Sequence, residues 1–236
     1  MAFSQDEHPS REPFLNAPPT VLWLIGVLLA THVLRVLLPG DWPDIIVQNY
    51  ALIPARFASA FAKGLTGGQI FDPLLSLVSY MFLHGDFAHV GINSLWLLVF
   101  GPIVARRLGT ARFLVYFLAC GIAAAALHLA VYWGSPMAVV GASGGISGLM
   151  AGGMRIVYGR LYGEANGLAP ILSKSILAFS AVWIIVNIIS GVLRLGVTDD
   201  LTLIAWVAHL GGFFAGLIMI GAFDRPMVGQ RRSRSA

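Results

Sequence analysis

Long apolar runs separated by short polar segments dominate the pattern of this chain. A helix needs about 20 apolar residues to cross the hydrocarbon core of a bilayer. Read this way, the pattern predicts six membrane helices, over about 21–38, 87–105, 113–132, 143–158, 171–193 and 201–223. The predicted fold class is therefore an all-α polytopic membrane protein, built as a bundle of six transmembrane helices.

The polar segments divide the rest of the chain. Residues 1–20 are predicted to form a polar N-terminal tail, which lacks the basic start of a signal peptide. Residues 39–86 form a long connection in which prolines and glycines alternate with apolar patches, a pattern typical of short amphipathic helices at a membrane interface. Residues 224–236 form a basic C-terminal tail.

The fourth apolar segment is unusual in its length and in its start. Sixteen helical residues rise only about 24 Å, so this helix is predicted to begin inside the bilayer. The stretch before it, residues 134–142, contains Pro136 and Gly141, and irregular backbone at that depth needs cover by protein or a water-filled cavity. Ser143 is expected at the edge of such a cavity, where the free N–H groups of the helix start have the geometry of an oxyanion hole.

Glycines on the fourth and sixth segments predict close packing of these two helices. Gly144 begins a run of glycines at every fourth position, which makes one smooth helix face, and Gly212 follows His209 on nearly the same face of the sixth helix. If the faces meet, His209 reaches Ser143, and a serine beside a neutral imidazole is the minimal activated nucleophile. For Ser143 alone, a packing role with a hydroxyl bonded to its own backbone is the alternative. An ionisable residue within a span favours a functional role for His209.

A polar cluster opens the second apolar segment. His89 and Asn93 are four residues apart, so they share a helix face and both can donate hydrogen bonds to a developing oxyanion. His84 lies five residues before His89, on another face, and is predicted to anchor the loop. A zinc site is the competing interpretation, but it lacks a carboxylate or cysteine at ligand spacing, and no metal is predicted. Since no carboxylate lies within a predicted span, a Ser–His dyad is expected rather than a triad.

Composition and charge support a membrane protein and orient it. Hydrophobic residues make up 57% of the chain and charged residues 11%, with a mean hydropathy of +0.79, which excludes an ordinary soluble domain. With both termini in the cytoplasm, eleven of the fifteen basic residues lie on that side, namely Arg11, Arg106, Arg107, Arg112, Arg155, Arg160, Lys174, Arg225, Arg231, Arg232 and Arg234. The positive-inside rule then predicts that the Ser143 end of the fourth helix faces the exterior. The basic tail is interpreted as an orientation and lipid signal, with no nucleic-acid partner.

Together these motifs resemble the rhomboid family of intramembrane serine proteases, over about residues 71–223. The matching residues are Gly141-Ala142-Ser143-Gly144, Ala208-His209 with Gly212, and His84 with His89 and Asn93. The resemblance implies that Ser143 is the nucleophile and that His209 is the general base and later the general acid. It also implies an oxyanion hole made by His89, Asn93 and the backbone N–H of Ser143, with Gly141 permitting a tight approach.

The resemblance implies a substrate class as well. Rhomboid proteases hydrolyse a peptide bond in or near a transmembrane helix of another protein, with small residues at the scissile bond and helix-destabilising residues beyond it. The expected partners are therefore transmembrane proteins and the lipid bilayer, without a metal or organic cofactor, and the expected location is a bacterial inner membrane. The fifth helix and the loop after it, about 191–202, look like a gate for substrate and water.

Three places depart from the family pattern. Many rhomboids have a Trp-Arg pair in the first loop, where this chain has Leu75-Ser76. Many have a glutamate before the basic pair that ends the second span, where this chain has Ala105, and an aromatic one turn after the nucleophile is replaced by Ser147. These differences bear on the anchoring of the first loop and on the support of His209.

Two other classes of function are alternatives to a protease. A catalytically silent rhomboid-like chaperone or adaptor would bind transmembrane clients independently of Ser143. A small transporter would have inverted repeats and broken helices in both halves of the chain, whereas this sequence has one unusual helix start.

Overall fold

A computed structural model of the protein describes residues 17–64, 67–164, 167–192 and 205–224. Within these ranges the elements in chain order are α1 (Pro19–Val36), α2 (Trp42–Tyr50), α3 (Pro54–Ala62), α4 (Gly67–Ser79), a short 3-10 helix (Tyr80–Phe82), α5 (Phe87–Leu108), α6 (Thr110–Val131), α7 (Ser143–Leu161), α8 (Lys174–Val192) and α9 (Ala205–Phe223). Most of the predicted N-terminal tail, most of the predicted gate loop and all but the first residue of the predicted C-terminal tail lie outside the described residues.

Five helices of the described chain, α1, α5, α6, α8 and α9, are long and apolar enough to cross a membrane. The exception among the six long helices is α7, because glycine, serine and arginine make up much of its 19 residues. The prediction of an all-α polytopic membrane protein is confirmed, with five apolar spans and one more polar helix in place of six equivalent spans. Where the helix ends are described, they lie within three residues of the predicted ones.

The more polar helix, α7, lies at the centre of the bundle and packs against α5, α6 and α9. Every residue from 144 to 153 is buried. A Cβ atom added at Gly212 of α9 would overlap the carbonyl group of Gly144, and one added at Gly216 would overlap that of Gly148. Small residues allow this approach, and van der Waals contact of this kind is a principal source of helix association in lipid.

Two tyrosine hydroxyl groups bond to carbonyl groups within this core. The hydroxyl of Tyr116, on α6, lies 3.0 Å from the carbonyl oxygen of Gly148 on α7 and 2.8 Å from that of Gly216 on α9. The hydroxyl of Tyr80, in the 3-10 helix, donates to the carbonyl of Gly121 on α6 at 2.8 Å. Because each buried hydroxyl has an acceptor, these tyrosines join elements without leaving a polar group unsatisfied.

The long connection between α1 and α5 folds into α2, α3, α4 and the 3-10 helix. Leu52, between α2 and α3, forms an isolated antiparallel bridge with Val139, at N···O distances of 3.0 and 2.9 Å. This bridge ties the connection to the segment that leads into α7. Ser76, one of the two residues at the place of the Trp-Arg pair, is buried and donates to the carbonyl of Pro73 at 2.6 Å.

Arginine side chains stabilise the end of the bundle that lies opposite Ser143. Arg107, near the end of α5, forms a two-pronged ion pair with Asp224, just after α9, at 2.6 and 2.7 Å. Arg155 of α7 donates to the carbonyl groups of Leu217 and Ala169 at 2.7 and 2.8 Å. The basic residues at this end are therefore part of the fold, and they lie at the other end of α7 from Ser143.

Candidate active site

Ser143 and His209 are brought together by α7 and α9. Ser143 is the first residue of α7, and His209 lies in the first turns of α9. The Oγ atom of Ser143 is 2.8 Å from Nε2 of His209, and both side chains are partly buried. The contact of Gly144 with Gly212, immediately beside this pair, makes the short distance possible because neither glycine holds the two backbones apart.

The backbone before Ser143 has a conformation that requires glycine. Gly141 has a φ of +121°, and its N–H donates to the carbonyl of Tyr80 at 2.9 Å. A Cβ atom at Gly141 would lie 2.8 Å from Nε2 of His89 and 3.6 Å from Nδ2 of Asn93. The two predicted oxyanion donors therefore converge on the space beside Gly141, two residues before Ser143.

The two donors are presented by the first turns of α5. Asp86 caps this helix, since its Oδ1 accepts from the backbone N–H of His89 at 2.7 Å. Asn93 is 3% exposed, and its Nδ2 makes no hydrogen bond within the part of the chain that the structure describes. A buried amide without an acceptor is costly, so this N–H group is suited to bind a negatively charged oxygen that arrives with a substrate.

His84 lies behind His89 and is buried. The two rings meet edge to face with their centroids 5.1 Å apart, and the carbonyl of His84 accepts from Arg35 of α1 at 2.7 Å. Burial, together with the nearby His89 and His32, lowers the pKa of His84 to about 3. A neutral ring therefore packs against His89. Among the described residues, no group of three or more His, Cys, Asp and Glu side chains is placed to hold a metal ion.

Asn187 of α8 also belongs to the site, although the sequence analysis did not single it out. Its Oδ1 is 2.9 Å from Nδ1 of His209, on the side of the ring away from Ser143. The signal in the sequence is a single amide in an otherwise apolar helix, which marks a polar residue within a span but does not indicate that its partner is His209. Ser147, which replaces the aromatic residue of the rhomboid pattern, is buried.

The site residues all fall within one recognised domain. The family model of the rhomboid domain matches residues 72–225, which is more than half of the chain. The chain belongs to the rhomboid family. It is a multi-pass integral membrane protein, as its apolar helices and its family both require.

Known relatives of this rhomboid are named as proteases. The rhomboid protease GlpG of Yersinia pestis (strain Pestoides F) is 31% identical over 144 residues, which cover 60% of this chain and 45% of that protein. The putative rhomboid protease YdcA of Bacillus subtilis (strain 168) is 28% identical over 210 residues, covering 87% of this chain and 84% of that protein. The chain thus spans less than half the length of its GlpG relatives.

Proposed function

We propose that this rhomboid is a serine endopeptidase that cleaves peptide bonds in or near transmembrane helices of other membrane proteins. The observation that carries the proposal is the 2.8 Å contact between Ser143 Oγ and His209 Nε2, beside two hydrogen-bond donors that converge at Gly141. A hydroxyl in contact with an imidazole, next to donors for a negative oxygen, is the minimum required for acyl transfer. The names of the relatives support the same reaction.

In the first half of the proposed reaction, His209 acts as a general base. Its Nε2 takes the proton of Ser143 while Oγ attacks the carbonyl carbon of the scissile bond. The oxyanion of the tetrahedral intermediate accepts hydrogen bonds from His89, Asn93 and the backbone N–H of Ser143. The imidazolium then gives its proton to the leaving amine, the C–N bond breaks, and an acyl-enzyme remains.

In the second half, water replaces the amine. His209 removes a proton from the water as its oxygen attacks the acyl carbon, and the same donors hold the second oxyanion. Collapse of this intermediate breaks the bond to Oγ, which regains its proton from His209. The products are the two halves of the substrate chain and a regenerated Ser143.

The proposed substrate is a transmembrane segment that unwinds readily, because an intact helix shields its carbonyl groups from attack. A Cβ atom at Gly141 would lie 2.8 Å from Nε2 of His89, so the space beside the proposed oxyanion donors is narrow, which favours small residues at the scissile bond. A substrate in the bilayer would approach beside α8, because only 6% of the apolar stretch of α8 is buried, compared with 44% for α9.

We further propose that Ser143 faces the exterior of a bacterial inner membrane, with both termini in the cytoplasm. The distribution of basic residues supports this orientation, because Arg107 and Arg155 lie near the end of the bundle opposite Ser143. Water for the second half of the reaction would then enter from the exterior side.

The first test is labelling of the detergent-purified protein with a fluorophosphonate, together with cleavage of a model transmembrane substrate in liposomes. Ser143→Ala and His209→Ala should abolish both signals. Ser94→Ala is the matched control, because Ser94 donates to the carbonyl of Val90 in its own helix, and it should keep both. Cleavage by Ser143→Ala would overturn the assignment of the nucleophile.

Loss of one oxyanion donor should have a smaller effect than loss of the nucleophile. Asn93→Ala is expected to lower kcat by about 10²- to 10³-fold, the range known for removal of a single such donor. A wild-type protein that neither labels nor cleaves, yet binds transmembrane clients equally well with Ser143→Ala, would instead support the adaptor function.

A further inference from the structure

One polar group of the site comes from α8, a helix that carries neither the Ser143–His209 pair nor the oxyanion donors. Asn187 projects from α8 and makes two hydrogen bonds, with its Oδ1 2.9 Å from Nδ1 of His209 and its Nδ2 2.9 Å from the carbonyl oxygen of Trp183. Both atoms of the amide group are therefore engaged. An amide in this position can determine how the imidazole is oriented and protonated.

The chemistry of the two contacts assigns the protons. The carbonyl of Trp183 can only accept a hydrogen bond, so the amide atom that faces it must be the NH₂ group. Oδ1 then faces His209, and because Oδ1 can only accept, Nδ1 of His209 must carry a proton. In a neutral imidazole this leaves Nε2 without a proton, ready to accept from the hydroxyl of Ser143. This tautomer is the one that a general base requires.

An aromatic stack holds the two helices in register next to this bond. Trp183 lies one turn before Asn187 on α8, and Phe213 lies one turn after His209 on α9. Their rings stack with centroids 4.2 Å apart and planes 11° from parallel. The stack and the hydrogen bond are therefore two adjacent contacts between α8 and α9, and together they hold α8 against the turn of α9 that carries His209.

We propose that Asn187 is a positioning residue that completes a Ser143–His209–Asn187 chain of hydrogen bonds, holding His209 in its base-competent tautomer only while α8 lies against α9. This inference rests on the proposed function. It replaces the dyad expected from the sequence by a triad whose third member is a neutral amide. Since α8 is the least buried of the long apolar helices, movement of α8 away from α9 would separate the amide from the imidazole and switch off the base.

The activity test compares variants at position 187 with a control on the same helix. Asn187→Leu keeps the approximate size of the side chain and removes the acceptor, so kcat should fall by at least about tenfold with little change in KM. Ser180→Ala is the control, because Ser180 is also buried on α8 and has no proposed role, and it should keep the wild-type kcat. Asn187→Ala serves as a second acceptor-free variant if the leucine does not fold.

The pH profile separates positioning from packing. Asn187→Asp retains the acceptor and places a negative charge beside Nδ1, which stabilises the imidazolium. The acid limb of kcat/KM should therefore move to higher pH, by about one unit. Among the residues that the structure describes, His89 of α5 is the titratable group that acts on His209 electrostatically, and it is the same in all variants. An unchanged profile in Asn187→Asp would overturn the proposal.

A spectroscopic readout does not depend on activity. In protein labelled with ¹⁵N-histidine, the His209 ring should show a protonated Nδ1 and an unprotonated Nε2, assigned by comparison with His209→Ala. Asn187→Leu should move the ring towards the other tautomer or a mixture. If this shift occurs in a protein that does not cleave substrates, the proposed protease function fails while the role of Asn187 stands. An unchanged tautomer, or equal losses of kcat in Asn187→Leu and Ser180→Ala, would overturn the inference.

Discussion

Gly141 shows how the absence of a side chain shapes this site. Its φ of +121° is unfavourable for any residue with a Cβ atom, and the space that a Cβ would occupy is only 2.8 Å from Nε2 of His89. The same space lies 3.6 Å from Nδ2 of Asn93. A methyl group here would therefore act on the proposed oxyanion hole and not only on the backbone.

Gly141→Ala is predicted to reduce the rate of substrate cleavage by at least about tenfold, because a misplacement of about 1 Å at the reacting groups can cost about 100-fold in rate. Gly134→Ala is the matched control. Gly134 has a similarly positive φ of +79°, but a Cβ there would meet nothing within 4 Å. Both variants should lose about 1–3 kcal/mol of stability from backbone strain, whereas only Gly141→Ala should lose activity. Equal activities of the two variants would contradict this interpretation.

At the scale of elements, the contact between α7 and α9 determines whether the site exists. These helices approach so closely at Gly144 and Gly212 that a carbonyl group of one helix touches the backbone of the other. Tyr116 adds a hydroxyl that reaches carbonyl groups on both helices. In lipid, where burial of apolar surface does not drive helices together, close packing and interhelical hydrogen bonds of this kind hold the bundle. The position of His209 relative to Ser143 follows directly from this contact.

Gly212→Ala is predicted to push α9 away from α7, because its methyl group would overlap the carbonyl of Gly144. The expected cost is about 1–3 kcal/mol of stability, typical of overpacking, measured as a lower thermal midpoint in detergent. Cleavage should fall with it, because the bond between Ser143 and His209 would lengthen. Gly221→Ala, on the same helix in open space, should change neither property. A normal cleavage rate in Gly212→Ala would show that the helix contact does not control the site.

At the scale of the whole molecule, the site lies at one end of the bundle and the arginine contacts at the other. The central helix α7 has Ser143 at its start and Arg155 three turns later. Arg155 bonds to the carbonyl of Leu217, and the Arg107–Asp224 ion pair lies just beyond the end of α9. The fold therefore separates a site end from a basic end, which is the asymmetry that the proposed membrane orientation uses.

The orientation can be tested with a membrane-impermeant maleimide on intact cells. Pro136→Cys places an exposed thiol in the segment before α7, and Tyr162→Cys places one just after α7, where the native side chain is 64% exposed. We expect Pro136→Cys to be labelled in intact cells and Tyr162→Cys only after the membrane is permeabilised. The wild type is the control, because its single cysteine, Cys120, is buried. The reverse pattern of labelling would invert the proposed topology.

The sequence by itself determined the membrane class, the long helices and the candidate residues at Ser143, His209, His89 and Asn93. These features are local, since a span is recognised by its run of apolar residues and a shared helix face by a spacing of three or four. The glycine pattern even indicated which two helices would approach, because few residue types allow backbones to touch.

Only the tertiary structure decided which polar groups pair with one another in the site, in the core and at the basic end of the bundle. No local motif marks Asn187, Tyr116 or Asp224. Each of them bonds to a partner on another element that lies 22 or more residues away along the chain. Whether such a side chain points at a partner or at lipid depends on the rotation and depth of its helix, which side-chain packing between helices sets. Local pattern carries little of that information, and for this reason a dyad could be predicted from the sequence while the amide behind it could not.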